Sequence, residues 1–350
     1  MLLRKRHVLV LLGLLALAQA SAAHAYSWPI KPFGRQHPIR GNFGDPRTIF
    51  SYSLSSAALF GPGDFSFHNG VDIAVPDGTE VYPVVSGRVR AVFSDIVSVG
   101  TRDGRTFRYE HVVPVVERGE RVVARETVVG YVRSGYGHVH FTEIDGMRVV
   151  NPLEPRHLTP YTDHIAPQIS DVELRAGTTL TRLDPQRVCG RVSIVADAFD
   201  MPSIPIPLGP FAGLPVTPAL VRWELRRLHA SVVLPLTSAA DFRRVLPLQT
   251  RFWDVYARGT YQNSPRFGGI HYASMRGRYL FNVVTDFDTR SLANGLYVLT
   301  VLAGDVRGNS VTHTRQLTVA NAPDTATGCP AEDTPEPPAD PTTQPPSSSP

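Results

Sequence analysis

The sequence of 350 residues is long enough for two ordinary domains, each with its own hydrophobic core. Its hydrophobic content of 42% is that of a globular protein, and its 31 prolines and 28 glycines predict many turns and short strands rather than long helices. The formal net charge of +4 is spread along the chain and comes almost entirely from arginine, with no basic run after the N-terminal residues. This distribution excludes the basic patch typical of nucleic-acid-binding proteins, so no nucleic-acid partner is expected.

Residues 1–25 have the three parts of a secretory signal peptide. "MLLRKRH" is basic, "VLVLLGLLALA" is apolar, and "SAAHA" ends in small residues, which predicts cleavage after Ala25. No cysteine stands at that site, which argues against a lipoprotein. The alternative is an uncleaved membrane anchor, although the apolar run is short for a membrane span. We therefore expect an exported protein of the periplasm, cell wall or extracellular space, with no stable membrane insertion after signal cleavage.

Residues 26–158 predict a first domain of short strands. "TEVYPVV", "RVRAVFS", "RTFRYEHV" and "HVHFTEI" alternate or are rich in β-formers, and Gly, Asp and Ser separate them. "VPDGTEV" at 75–81 is echoed by "VERGERV" at 116–122, which indicates a duplicated β-hairpin unit. The proline-rich stretch at 159–167 then predicts a linker.

Residues 168–321 are again β-rich and predict an immunoglobulin-like antiparallel β-sandwich. The expected fold class is therefore all-β, with a small antiparallel β domain followed by the sandwich. The segment 322–350 is rich in Pro, Ser and Thr and predicts a disordered tail. The two cysteines, Cys189 and Cys329, could form one disulfide in an exported protein.

The first domain contains a group of residues that could bind a metal. His68 and Asp72 lie four residues apart in "FHNGVD", His111 lies in "FRYEHV", and His138 and His140 lie in "GHVHF". Residues i and i+2 of a strand face the same side, so the last two histidines can point into one groove. Catalytic zinc takes three protein ligands and an open position, so five candidates leave two groups for proton transfer or charge stabilisation.

These motifs resemble, in order and spacing, the LytM/lysostaphin-type zinc peptidases of family M23, which cleave peptide bonds in peptidoglycan. The resemblance covers about residues 36–155 and includes "GNFGDPR", "HNGVDIAVPDGTEV", "RYEHV", "VVARETVVGYV" and "GHVHF". It implies a small antiparallel β-structure of the duplicated hybrid motif type, with zinc in a groove between strands. It also implies peptidoglycan as the partner, and leaves the oligomeric state open.

Carried over by position, the resemblance implies that His68, Asp72 and His140 bind Zn²⁺ and that His111 and His138 are catalytic. Zinc and water would then hydrolyse the peptide bond. His138 or His111 would take the proton of the water and pass it to the leaving amine, and the other would hydrogen-bond the oxyanion. The sequence does not separate these two roles.

The sequence departs from the family pattern at three places. Thr142 directly follows "HVHF", at a position where the family often has an acidic residue. Arg125 replaces a turn glycine in the second repeat, and "SGYG" shortens the loop before His138. None of these changes removes a candidate ligand, so they bear on loop geometry and substrate preference.

The sequence leaves three functional classes open. The first is an active zinc endopeptidase that acts on peptidoglycan stem peptides or cross-bridges. The second is a wall-binding regulator of another hydrolase, against which the full set of candidate ligands argues. The third is an exported metallopeptidase that acts on glycine-rich proteins, and the sequence hardly separates the first class from the third.

Overall fold

The computed structural model describes residues 25–207, 209–230, 232–322 and 329. The regular structure in these residues is nearly all β, which confirms the predicted fold class. No helix among the described residues could cross a membrane, because none is long and apolar enough. Apart from Ala25, the predicted signal peptide lies outside the described residues. So does the predicted tail, apart from Ala322 and Cys329.

Among the described residues, thirteen strands precede residue 151 and a further nine follow. Those of the N-terminal region are β1 (Ile39–Gly41), β2 (Pro46–Phe50), β3 (Gly63–Phe67), β4 (Val71–Ala74), β5 (Glu80–Val81), β6 (Gly87–Val92), β7 (Ile96–Gly100), β8 (Arg105–Glu110), β9 (Val112–Pro114), β10 (Arg121–Val122), β11 (Gly130–Val132), β12 (His138–Asp145) and β13 (Arg148–Val150). Those of the C-terminal region are β14 (Gln168–Ala176), β15 (Arg191–Phe199), β16 (Leu220–Arg227), β17 (Val232–Asp241), β18 (Arg266–Phe267), β19 (Ile270–His271), β20 (Leu280–Asp288), β21 (Gly295–Gly304) and β22 (Ser310–Val319).

Helical structure in the part of the chain that the structure describes is limited to short segments. The α-helix α1 spans Phe252–Val255, and 3₁₀ turns span Ala58–Phe60, Gln249–Arg251 and Thr289–Ser291.

An eight-stranded antiparallel sheet is the frame of the N-terminal region. Its strand order is β1-β4-β12-β8-β7-β6-β10, with β13 beside β12, and a second sheet has the order β5-β11-β9. Strand β12 lies in the middle, between β4 and β8. Val139 and Phe141 of β12 are buried in the hydrophobic core, so alternation places His138 and His140 on the opposite face.

The two copies of the sequence repeat each contain a turn that needs a left-handed residue. Gly78 has φ 76° and Gly119 has φ 92°, a backbone conformation that glycine adopts without steric cost. Arg125, one of the departures noted in the sequence, also has a positive φ of 64°. This later turn of the second copy is therefore left-handed at a non-glycine residue, which has some conformational cost.

Two antiparallel sheets form the C-terminal region, with strand orders β14-β15-β20 and β17-β16-β21-β22. Leu174 and Ile194 of the first sheet and Trp223, Leu225 and Leu317 of the second line a shared apolar interior. The region is thus a two-sheet β-sandwich, and its assignment as immunoglobulin-like stays a prediction.

The two regions share one sheet and one hydrophobic core. Strand β18 pairs in parallel with β2, which gives a sheet with the order β19-β18-β2-β3. Phe67 of β3 packs against Phe242 and Tyr256 of the C-terminal region.

The domain boundaries at 158 and 168 stay a prediction. Cys189 and Cys329, whose pairing the sequence left open, are joined by a disulfide.

Candidate metal centre

Strand register brings the candidate residues together on one face of the large sheet. His140 of β12 lies directly opposite Asp72 of β4, and His138 lies opposite Ala74. His68 lies in the connection between β3 and β4, and His111 lies directly after β8. All five residues singled out in the sequence therefore border the same groove.

Three ligand atoms converge at the centre of this group. Asp72 Oδ1 lies 3.0 Å from His68 Nε2 and 3.0 Å from His140 Nδ1, and the two nitrogens are 2.8 Å apart. The three side chains are buried. Two imidazole nitrogens and one carboxylate oxygen are a donor set that zinc prefers in catalytic sites, so the residues present fit this metal.

The second nitrogen of each of the two histidines is held by another group. His68 Nδ1 donates a hydrogen bond to the Asn42 carbonyl oxygen at 2.7 Å, which leaves Nε2 unprotonated in the neutral ring. His140 Nε2 lies 2.9 Å from the Thr142 hydroxyl, which leaves Nδ1 facing Asp72. Thr142, the departure noted in the sequence, is thus a buried hydrogen-bond partner of a candidate ligand. Such partners fix the ring orientation of metal-binding histidines.

Burial and nearby charges favour a neutral His68 and an ionised Asp72. Burial, helped by the positive charge of Arg47, lowers the pKa of His68 to about 3. Burial alone would raise the pKa of Asp72, but His68 and Arg47 hold it well below its usual range. Arg47 donates a hydrogen bond to Asp72 Oδ2 at 2.6 Å, so Oδ1 is the oxygen left for a metal. At 2.8–3.0 Å the lone pairs of these three atoms would repel one another without a proton or a metal ion between them.

Gly70 of "HNGVD" permits β12 to lie close to the segment that leads into β4. A Cβ on Gly70 would lie 2.4 Å from the Phe141 carbonyl oxygen and 2.8 Å from His140 Nε2. Any side chain here would displace His140, so this position requires glycine.

His138 and His111 lie beside the three ligand atoms. His138 Nδ1 donates to the Tyr136 carbonyl oxygen at 2.8 Å, and its Nε2 lies 3.5 Å from Asp72 Oδ1. The ring of His111 lies 4.7 Å from that of His138, between centroids, and stacks on Tyr136 at 4.3 Å. Burial lowers the pKa of His138 to about 3 and also lowers that of His111. Burial therefore favours the neutral form of both rings.

The backbone at His111 is in a rarely populated conformation. Its φ is 65°, and its Nδ1 atom is buried without a hydrogen bond, 3.8 Å from the Asp95 carboxylate. Residues held in such conformations are enriched at functional sites, and here the stacked Tyr136 ring of the shortened "SGYG" loop supports the imidazole.

The groove of about 390 Å³ over these residues has a wall from each region of the chain. Gln249 and Gln262 of the C-terminal region border it and also bind the N-terminal backbone. Gln249 Oε1 accepts from the Phe67 amide at 2.9 Å, and Gln262 Oε1 accepts from the Thr48 amide at 2.7 Å. Phe211 and Asn263 border the groove as well.

The C-terminal region also contacts the loop that orients His68. The Thr217 amide donates to the Asp45 carboxylate at 2.7 Å, and the Tyr256 hydroxyl donates to the Gly44 carbonyl oxygen at 2.7 Å. A Cβ on Gly44 would lie 2.6 Å from the Phe242 ring, so the two regions touch closely here. The same loop bonds the backbone of His68 from both sides.

Sequence reasoning identified the five central residues but not those around them. It missed Asn42 and Arg47, although both lie in the quoted "GNFGDPR" segment, which could have drawn attention to them. It also missed Phe211, Gln249 and Gln262, for which the sequence has no local motif. Their placement depends on contacts between distant segments.

A second group of acidic side chains joins the segment at 159–167 to the C-terminal region. Asp163, Asp200 and Asp305 place oxygen atoms within 4.8 Å of one another, and all three are buried. Burial, followed by the charges of the other two, raises the pKa of Asp200 to about 8. Asp305 accepts hydrogen bonds from two backbone amides and from Asn309, which is the bonding of a structural turn.

No protein-family model matches the sequence, and no curated protein matches it. Among solved structures, the chain is similar to a zinc-containing peptidase from Vibrio cholerae, with 22% identity and a TM-score of 0.28 over 37% of this chain and 39% of that one. It is also similar to the M23 metalloprotease pseudoalterin from the deep sea (18% identity, TM-score 0.26, 41% of this chain and 81% of that one). A third similar structure is LytU (22% identity, TM-score 0.25, 35% of this chain and 86% of that one). Each likeness covers less than half of this chain.

Proposed function

We propose that this protein is an exported zinc endopeptidase that hydrolyses peptide bonds in the stem peptides or cross-bridges of peptidoglycan. The observation that carries the proposal is the convergence of His68 Nε2, Asp72 Oδ1 and His140 Nδ1 in a groove that also contains two neutral imidazoles. Zinc held there would lower the pKa of water and polarise the scissile carbonyl.

The proton transfers fall to His138 and His111. The Tyr136 carbonyl fixes the proton of neutral His138 on Nδ1, so Nε2 has a free lone pair that faces the groove. His138 can therefore accept a proton from water and return it to the leaving amine. His111, supported by Tyr136, is then the group that donates a hydrogen bond to the oxyanion.

The shape and charge of the groove suit a polymeric substrate. The groove is open, so an extended peptide can pass through it without its ends being enclosed. Neutral histidines, one ionised Asp72 and a divalent metal would leave the centre net positive, which favours the negative charge that develops in peptide hydrolysis. A substrate outside the cytoplasm, such as peptidoglycan, agrees with the signal-like N-terminus of the sequence.

Digestion of purified peptidoglycan tests the proposal. The mature chain, loaded with one equivalent of zinc, should release fragments whose masses correspond to hydrolysed peptide bonds and intact glycosidic bonds. The chelated protein and the His140→Ala variant are the controls. Cleavage of glycine-rich proteins but not of peptidoglycan would point instead to a protein-directed metallopeptidase. Binding to the wall without any new amino terminus would point to a regulator.

A further inference from the structure

Arg40 is the cation in the groove that lacks an anionic partner. It lies on β1, one residue before the register position opposite Asp72, and its side chain borders the groove. Its Nε atom is buried without a hydrogen bond, and no carboxylate of the described residues lies within 4 Å of the guanidinium. Arg47, by contrast, is fully engaged by Asp72. A half-buried guanidinium without a partner carries an uncompensated desolvation cost, which an anion in the groove would relieve.

The C-terminal region holds Arg40 in place. The Arg40 Cζ atom lies 4.0 Å from the centre of the Phe211 ring, within the range of a cation–π contact. Stacking uses one face of the guanidinium, and the N–H groups of its two terminal nitrogens stay in the plane, where they can bind a carboxylate in a fork. Phe211 borders the same groove as Arg40, so the pair is part of its lining.

Arg40 also lies close to the residues that carry the chemistry. It directly precedes Gly41, the register partner of Asp72, and it lines the same groove as Asp72 and His138. A substrate group bound by Arg40 would therefore lie beside the bond that is cleaved, rather than at a distant part of the groove.

We propose that Arg40, positioned by Phe211, binds a carboxylate of the substrate close to the scissile bond. The substrate class is then a peptide with a free carboxyl group, from an acidic side chain or a C-terminus, next to the cleaved bond. This inference rests on the proposed function, because it assumes that the groove binds a peptide. It makes Arg40 a specificity-determining residue that the N-terminal region supplies and the C-terminal region orients.

The test compares the acid and carboxamide forms of one peptide. The peptide is the shortest peptidoglycan fragment that the zinc-loaded full chain cleaves, and its carboxyl group near the cleaved bond is either free or amidated. We expect kcat/KM to favour the acid form by about ten-fold, because a hydrogen-bonded ion pair is replaced by a neutral contact. Arg40→Gln should bring the ratio of the two values close to one. Arg40→Lys should retain part of the preference, since lysine keeps the charge but not the fork.

Two further variants separate specificity from a general loss of structure. Phe211→Leu should reduce the acid preference by an intermediate factor, whereas Arg35→Gln, which changes an exposed arginine of the same segment, should leave it as in the wild type. Calorimetry should show the acid-form product binding about ten-fold more weakly to Arg40→Gln than to the wild type. Zinc content should be the same in all of these proteins.

Three outcomes would overturn the inference. An acid-to-amide ratio that Arg40→Gln does not change would show that Arg40 does not bind the carboxylate. Equal impairment of both substrates would assign Arg40 to the chemical step or to folding. If the zinc-loaded wild type cleaved no peptide at all, the proposed function itself would fail, which is distinct from cleavage without acid preference.

Discussion

The N-terminal and C-terminal regions contribute to the groove in different ways. The N-terminal region supplies every atom of the candidate metal centre, on β4, β12 and the connection before β4. The described residues of the C-terminal region supply no ligand atom to that centre, but the region borders the groove with Phe211 and Gln249 and bonds the loop that orients His68. The difference indicates that one region determines whether the site binds metal, and the other influences how the site is held and what enters it.

The largest expected effect comes from removing a ligand in the N-terminal region. His140→Ala should lose zinc and activity together, each by more than the ten- to hundred-fold typical of changes to outer hydrogen-bond partners. Metal analysis of the purified protein and the peptidoglycan assay measure the two quantities. His271→Ala changes an exposed histidine of the C-terminal region and should affect neither. Full zinc content in the His140→Ala protein would show that His140 of the N-terminal region is not needed for metal binding.

Removal of His111 should separate metal binding from turnover. His111→Ala leaves the three ligand atoms in place, so zinc content should stay at one equivalent while kcat falls by about a hundred-fold or more. The same two assays apply. Near-normal turnover in this variant would refute a catalytic role for His111.

A smaller effect is expected from the hydroxyl that holds His140. Thr142→Val has nearly the same shape but cannot bond His140 Nε2, so zinc affinity should fall by about ten-fold. Competition with a chromophoric chelator measures this change. Unchanged affinity would mean that packing alone orients the His140 ring.

The smallest effect should arise in the C-terminal region. Tyr256→Phe removes the buried hydrogen bonds that the Tyr256 hydroxyl makes with the Gly44 carbonyl and the Thr217 hydroxyl, and should lower the free energy of unfolding by about 1–2 kcal/mol. It should also weaken zinc binding by less than ten-fold, because the loop that orients His68 loosens.

Tyr279→Phe is the matched control for this change. It removes a buried hydroxyl that donates to the Pro215 carbonyl and not to the loop, so it should cost similar stability without weakening zinc binding. Denaturant unfolding and chelator competition measure both quantities. Equal zinc affinities in the two variants would show that the C-terminal region does not support the centre.

The parts of the site that follow from local sequence could be predicted. The i, i+2 spacing of His138 and His140 fixes their shared face on a strand, and the repeat glycines mark the turns. The all-β fold followed from alternation and from the frequency of Gly and Pro. Whether each of the five residues binds metal or transfers protons stays a prediction.

The contacts across the groove could not be predicted in the same way. Arg40 meets Phe211, and Gly44 meets Tyr256, across long stretches of sequence. Segments outside regular strands have no periodicity that would reveal their partners. The parallel pairing of β18 with β2 likewise joins two short strands that share no sequence signal.

Zinc titration of the chelator-treated, metal-free protein tests the central claim most directly, with peptidoglycan hydrolysis followed at each step. If His68, Asp72 and His140 bind one catalytic zinc, activity should rise linearly and reach its plateau at one equivalent. Full hydrolysis by the metal-free protein, or no hydrolysis at any zinc concentration in a protein that has bound one equivalent, would contradict the account.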